Sequence, residues 1–520
     1  MPLPDTLQRA FAFGDDSAAE SGSRPAGPSG FLDDDPRDIF VGEERLEKYL
    51  KKNRLGWVVK LRSVMEELDY EAMLSRYDAL GRRAYPPRLM VSLIVYGMLQ
   101  GQWSLRELEL LAVRDVGAWW ICGGHQPDHS AIGKFIQRHE DLLSEDFFVE
   151  LTQHLFRKLK LKPGTVAGDG TVVEAAASRY RALRLESLRA RAEEAAQEAE
   201  SEPEDEGRQG TLDQALEAVR VAEERTEQRR KQGKDPSAIR VAPTEPSAVM
   251  QPRKDGARRP SYKPSVLVHG SGLIVAQGVH RSSETAMVDP LLEQHGLVVG
   301  GAPNRVLLDA GYCTPQVIKP LVEMGIDLLC PSGRARGDAD FEKRGHKGKF
   351  AKSEFGYEAG GDRYECPAGQ WLGYQRSGVT PKGRKYRVYR CAVCKQCELR
   401  SRCTTARAGR TIKRYEGEEY KEAMREVFAN PRAREAYRER AHLAERPFSQ
   451  IKYRQGLQRF HRRGDRGVAV EWSLHVMACN LRHGLRLSQA IFAAFWIRIP
   501  GDSWRCIAIA AISAENPANR

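Results

Sequence analysis

The sequence predicts a mixed α/β chain: a sheet domain flanked by helices, preceded by an all-α unit and interrupted by two insertions. Three observations predict it. Residues 44–160 carry apolar positions at helical spacing, and residues 161–330 alternate strand-like and helix-like runs. Two stretches of different composition, about 181–258 and 334–430, break that alternation. At 520 residues the chain is well beyond one compact core, so several structural units are expected.

Residues 1–43 mix Gly, Ser, Pro and Asp with few large apolar groups, which cannot offset the entropy of ordering, so a disordered arm is expected. In the helical unit, Leu89, Leu93, Tyr96 and Gly97 fall on one face. Ser104 is followed three residues later by Glu107, the mark of a capping box. Gly123-Gly124 and Asp128 mark a turn and a helix start. Short helices joined this way suit a helix-turn-helix-like DNA-binding domain over 44–160. A purely structural bundle with Trp103, Trp119 and Trp120 as core fits the same residues.

At Thr165 the signal turns to strand, with Thr165, Val166 and Ala167 leading into Gly168-Asp169-Gly170-Thr171. Gly270, Ser271 and Gly272 read as a hairpin turn between two strands. A short helix near 287–294 follows, then an apolar strand over 305–308 ending at Asp309. Thr314 and Pro315 open another helix, Gly325 stops it, and 326–330 reads as a strand. Antiparallel strands followed by alternating helix and strand indicate an α/β or α+β sheet domain, here 161–490.

The insertion at 181–258 reads as a helical hairpin, with Leu212, Ala215, Leu216, Val219 and Ala222 along one face. It fits a DNA clamp, a subunit contact or a solvated decoration equally. After Pro431 the chain is helical again, through Glu445, to a helix on which Leu474, Met477, Ala478, Leu481 and Leu485 share a face. Residues 491–520 lack periodicity and caps and read as a divergent tail.

Eighty-two Lys and Arg against 70 Asp and Glu give a net charge of +12, with a pI near 9.2. That balance favours an anionic partner, nucleic acid first. The excess lies mainly in 376–466, whereas 192–206 is acidic, so phosphate contact is expected in the C-terminal half. The first residues lack a basic start and a long apolar core, and the uncharged run 89–101 is shorter than the roughly 20 residues of a membrane helix. A cytoplasmic, nucleoid-associated protein without a membrane span is expected.

Asp169, Asp309 and Glu445 each stand at the polar edge of an apolar or regular segment. A few such carboxylates, with substrate phosphates, suffice to hold a pair of hard Mg²⁺ ions for phosphoryl transfer. If the strands bearing Asp169 and Asp309 are neighbours, both carboxylates converge on one spot. Lys452 follows Glu445 by seven residues, two helical turns along, where it would meet a phosphate. Taken singly, an Asp before Gly is usually a turn residue and a helical Glu followed by Lys is usually surface decoration.

Five of the ten cysteines are bunched: Cys366, Cys391, Cys394, Cys397 and Cys403. In a reducing compartment such bunching reads as metal binding before disulfides, and one structural Zn²⁺ is the candidate occupant. Free thiols or an iron–sulfur ligand set are the alternatives.

The segments YPPRLMVSLIVYGMLQGQWSLRELE, PDHSAIGKFIQRH, AGDGTVVEAAAS, VLLDAGYCTP, YRCAVCKQCELRSRC and AERPFSQIKYRQGLQRFHRRG together resemble the DDE transposases of bacterial insertion sequences. Within the IS-four-like and IS-five-like superfamily they are most similar to the group named IS-eleven-eighty-two. The resemblance covers most of residues 45–487. It implies an RNase H-like catalytic domain in which Asp169, Asp309 and Glu445 bind two Mg²⁺ or Mn²⁺ ions. It also implies a Tyr, Arg, Glu, Lys signature on Tyr437, Arg440, Glu445 and Lys452, with Arg440 and Lys452 on DNA. Tyr437 and Arg440 stand one residue further from the Glu than is usual there, which makes Arg438 a rival to Arg440. The sequence SSETAM occupies the place of an Asn-Asp pair often found after the strand hairpin.

The activity that the resemblance implies is metal-dependent DNA strand cleavage and strand transfer at insertion-sequence ends, without a covalent enzyme intermediate. The partners would be terminal inverted repeats and target DNA, bound by a homo-oligomer. Two other readings use the same residues: a catalytically inactive transposase-derived DNA-binding regulator or decayed remnant, and a structure-selective nuclease.

Overall fold

In the computed structural model the residues described are 30–78, 83–253, 255–332, 349–381, 383–494, 496–499 and 503–506. Two short paired strands, β1 (Phe40–Val41) and β2 (Glu44–Arg45), precede the N-terminal helices, so this unit is not all-α. The helices are α1 (Leu46–Lys52), α2 (Gly56–Glu66), α3 (Glu71–Leu74), α4 (Pro87–Gln100), α5 (Leu105–Arg114), α6 (Val116–Cys122), α7 (His129–Arg138) and α8 (Phe147–Lys158). Ser104 and Glu107 form the expected reciprocal capping box on α5. Asp128 caps α7 by accepting the Ala131 amide at 2.7 Å.

Two expectations change here. α4 buries twelve of its fourteen residues, so it is apolar all round rather than on one face. The expected disorder does not extend to residues 30–43, because Asp34 is buried and accepts the Arg88 guanidinium at 2.5 Å. Residues 1–29 of that arm lie outside the described residues.

The sheet domain opens with β3 (Thr165–Gly170) and β4 (Val173–Glu174). The first insertion then supplies α9 (Leu185–Ser201) and α10 (Glu206–Lys231), which pack on each other through Leu188, Ala218, Val221 and Ala222. After it come β5 (Val249–Pro252), β6 (Arg258–His269), β7 (Ile274–His280), α11 (Val288–Val299), β8 (Arg305–Leu307), α12 (Pro315–Glu323) and β9 (Asp327–Leu329). Gly272, at φ +92°, makes the β6–β7 turn that the Gly-Ser-Gly run predicts.

The strands order as β7-β6-β3-β8-β9, with β4 and β5 on the first half of β6. β3–β6 and β6–β7 are antiparallel, whereas β3–β8 and β8–β9 are parallel. This mixed sheet is consistent with an RNase H-like fold.

A second sheet of five antiparallel strands, β10 (Gly356–Glu358), β11 (Arg363–Glu365), β12 (Trp371–Val379), β13 (Lys385–Cys391) and β14 (Thr411–Tyr415), fills the other insertion. It has its own small core around Phe355, Tyr364, Leu372, Tyr389 and Ile412, and holds the one-turn helix α13 (Arg400–Cys403). The chain returns through α14 (Glu418–Ala429), α15 (Pro431–Tyr437), α16 (Glu439–Ser449) and the long α17 (Gly464–Ala494). Much of the expected divergent tail lies outside the described residues; within it, α17 continues to Ala494 and 496–499 pairs with 503–506.

The main sheet is covered on both faces, and the strand period of two decides what each helix meets. Val166, Val306 and Leu328 belong to the large core that α8, α11 and α17 share with α4 and its neighbours. Ala167, Leu307 and Leu329 face the other way, onto Ala444 of α16. The helical unit and the sheet thus share one continuous core.

Candidate active site

The parallel pairing Thr165↔Arg305, Val166↔Val306 and Ala167↔Leu307 fixes the register of β3 and β8. Continued by two residues, it puts Asp169 and Asp309 at one level, and the strand alternation turns both toward the α16 side of the sheet. There the Arg440 guanidinium lies 3.2 Å from Asp169 Oδ1 and 4.0 Å from Asp309 Oδ2. Asp169 also accepts the Gly170 amide at 2.8 Å. Asp309 caps a short 3₁₀ turn by accepting the Gly311 amide at 2.7 Å.

Burial pushes the Asp169 carboxyl up to about 6; the Arg440 charge and the Gly170 amide oppose the shift, and the charges of Asp309 and Glu284 reinforce it. Small residues keep the strand end narrow. A Cβ on Gly168 would stand 2.5 Å from Leu308, and one on Gly170 2.4 Å from Glu284.

Glu284, in the loop after β7, lies across Gly170 and pairs with Lys263 of β6 at 3.0 Å. It lies within SSETAM and is not among the acids expected from the sequence. The signal that could have found it is topological: β7 runs antiparallel to β6, so the loop after it returns to the Asp169 end of β3.

The other expected residues divide. Lys452 donates to Thr171 Oγ1 at 2.5 Å and to the Val172 carbonyl at 3.0 Å, beside Asp169. Tyr437 donates its hydroxyl to the Leu308 carbonyl at 3.0 Å, which anchors α15 one residue before Asp309. Arg438 is exposed and paired with Glu435 at 2.5 Å, so it is Arg440 that stands at the carboxylates. Glu445 is exposed beside the buried Ala444. Between Glu445 and Lys452, α16 passes at Gln450–Arg454 into a π-helical turn, which shifts the helical phase. Among the described residues no three His, Cys, Asp or Glu side chains are gathered as a ready metal cage.

The five cysteines of the insertion line one cavity of about 20 Å³, together with Arg400 and Arg410 and, among the described residues, without a carboxylate. The Gln370 amide points at Cys366 Sγ at 3.3 Å, and Cys394 packs against Gly409.

Residues 365–484 match a family model described as a transposase DDE domain, and residues 44–138 match one described as a transposase domain (DUF772). Both matches support a DDE transposase of insertion sequences. The DDE match spans the cysteines, α16 and most of α17, so it takes in Arg440, Glu445 and Lys452 of the transposase while Asp169 and Asp309 lie outside it. No curated protein matches the chain significantly. Transposases bind DNA, and DDE transposases generally use divalent metal ions, for which paired carboxylates are chemically suited donors. No helix among the described residues is long and apolar enough to cross a membrane.

Proposed function

We propose that this transposase cleaves and joins DNA strands at Asp169 and Asp309, with Glu445 as the third acid and two Mg²⁺ or Mn²⁺ ions as cofactor. One observation carries the reading: two carboxylates from adjacent parallel strands stand at one level and share the cationic Arg440. Bound divalent ions supply an activated water or 3′-hydroxyl and stabilise the leaving oxygen. The residues do the rest. Asp169 sheds its proton to become a donor, and Arg440, already facing both acids, turns to the phosphate that enters between them. Lys452, fixed at Thr171, holds that phosphate's charge and position. Glu445, exposed on the helix that bears Arg440, would be the third carboxylate to hold an ion.

The same reading assigns terminal inverted repeats to the N-terminal helices, target DNA to the basic C-terminal half, and a homo-oligomer to the task of joining two ends. Membership of the IS-eleven-eighty-two group belongs to this proposal, as does a structural Zn²⁺ on four of Cys366, Cys391, Cys394, Cys397 and Cys403. The module's core is small enough to need a staple, and Arg400 and Arg410 would offset the charge of four thiolates.

The deciding experiment incubates labelled element-end DNA with Mg²⁺ and the wild-type or Asp169→Ala protein. Cutting by the wild type alone supports the proposal. A shifted but uncut DNA in both samples assigns the chain to DNA binding without catalysis.

A further inference from the structure

A cleft of about 640 Å³ opens where the corner between α1 and α2 meets the C-terminal half of α17. Lys51, Arg54 and Lys60 line one wall, Arg482 and Arg486 the other, and among the described residues no Asp or Glu lines it. Lys51 is paired with Glu47 at 2.6 Å. Arg482 is half-buried, and its guanidinium donates to the Leu99 carbonyl. Burial lowers its pKa, and so do the neighbouring charges of Arg486 and Arg454. Gathering like charges against an apolar floor that includes Trp57 is unfavourable until a polyanion enters. The first turn of α2, which borders the cleft, adds no acidic residue.

A backbone contact joins the rim of the cleft to the segment that bears Lys452. The carbonyl of exposed Arg454 abuts Gly101 just beyond α4, and Arg454 ends the π-helical turn that carries Lys452 to Thr171. Arg454 and Arg486 both act on Arg482, so positive charge extends from the cleft toward the segment bearing Lys452.

We propose that this cleft seats the sugar–phosphate backbone of the duplex leading away from the phosphodiester held at Asp169 and Asp309. The inference rests on the strand-cleaving function proposed above and names a surface for its substrate. Backbone phosphates, one per about 1.7 Å of duplex axis, suit such a track, and the contact is independent of base sequence.

The test uses the full chain with Lys60→Glu and Arg486→Glu combined, both at exposed positions, and a milder pair, Lys60→Gln with Arg486→Gln. Binding to a fluorescent duplex of unrelated sequence is measured against salt concentration, with thermal melting as the check on folding. The charge-reversed protein should bind at least about tenfold more weakly, and its plot of log affinity against log salt should be shallower by roughly two, about 0.9 per lost phosphate contact. The neutral pair should fall between. Wild-type affinity and slope in folded variants overturn the proposal, even if the cleft proves to bind an acidic protein instead. Cleavage is read separately on element-end DNA with Mg²⁺: a wild type that binds the unrelated duplex with the expected salt slope but never cuts the ends refutes the catalytic reading alone.

Discussion

The Arg440 guanidinium stands 3.2 Å from the Asp169 carboxylate and, among the described residues, is the nearest counter-charge to a pair of acids that would otherwise repel. Replacing it with alanine removes the main charge opposing the upward shift of Asp169. Arg440→Ala should lower strand cleavage by roughly 10²-fold, as loss of a charge-stabilising group does. It should also move the acidic limb of the pH–rate profile to higher pH, whereas Arg440→Lys should keep the limb in place. An unmoved profile in the alanine variant would refute this role.

Asp169 gives a pH dependence of stability with a definite sign. Its carboxyl titrates near 6 in the fold, above the ordinary value of 3.8. Between those values the unfolded chain has already lost the proton and the folded chain retains it, so metal-free stability falls as pH rises through that window and levels off above it. Asp169→Asn should therefore melt higher than wild type at neutral pH without metal, by on the order of 1–2 kcal/mol, while losing cleavage. Equal melting at pH 7 would contradict it.

Lys452 spans to Thr171 and Val172, so its charge is fixed beside the carboxylates. Lys452→Met should keep the fold and reduce cleavage by about 10²-fold, with Lys452→Arg recovering part of the loss. Single-turnover rates on end DNA would show this, and a wild-type rate in the methionine variant would remove the residue from the site.

Gly170→Ala should displace Glu284, since the added methyl would meet its side chain at 2.4 Å. Glu284→Gln tests the acid itself: Mn²⁺ affinity of the folded protein, followed by titration calorimetry, should fall about tenfold if Glu284 supports the ions. Unchanged affinity would make it a structural partner of Lys263 only.

Protein purified without chelator should carry about one zinc per chain if the cysteine-lined cavity is a tetrahedral site, and chelation should loosen β10–β14 toward proteolysis while leaving the main sheet intact. Absence of zinc together with unchanged proteolysis would return these residues to free thiols.

The local signals in the sequence were readable where one residue type has one physical use. Ser104 and Glu107 announce their capping box, Gly272 its hairpin, and Asp309 its strand end. The convergence of Asp169 and Asp309 was readable only as a condition, because strand adjacency depends on a pairing that no local pattern encodes. Two features escaped for the same reason. Glu284 reaches Gly170, next to Asp169, through a turn in space, and the π-helical turn after Ser449 shifts the helical phase before Lys452 without any sequence mark of its own. The full burial of α4 was likewise hidden, since its apolar residues look one-sided until α17 packs over it.

The helix that delivers Arg440 and Glu445 is made late, after every strand of the main sheet and both insertions. During synthesis, the two aspartates therefore emerge well before Arg440, the cation that faces them in the finished fold. A chain ending before Glu439 would keep both aspartates and lack Arg440, Glu445 and Lys452, so on the function proposed above it should leave DNA uncut.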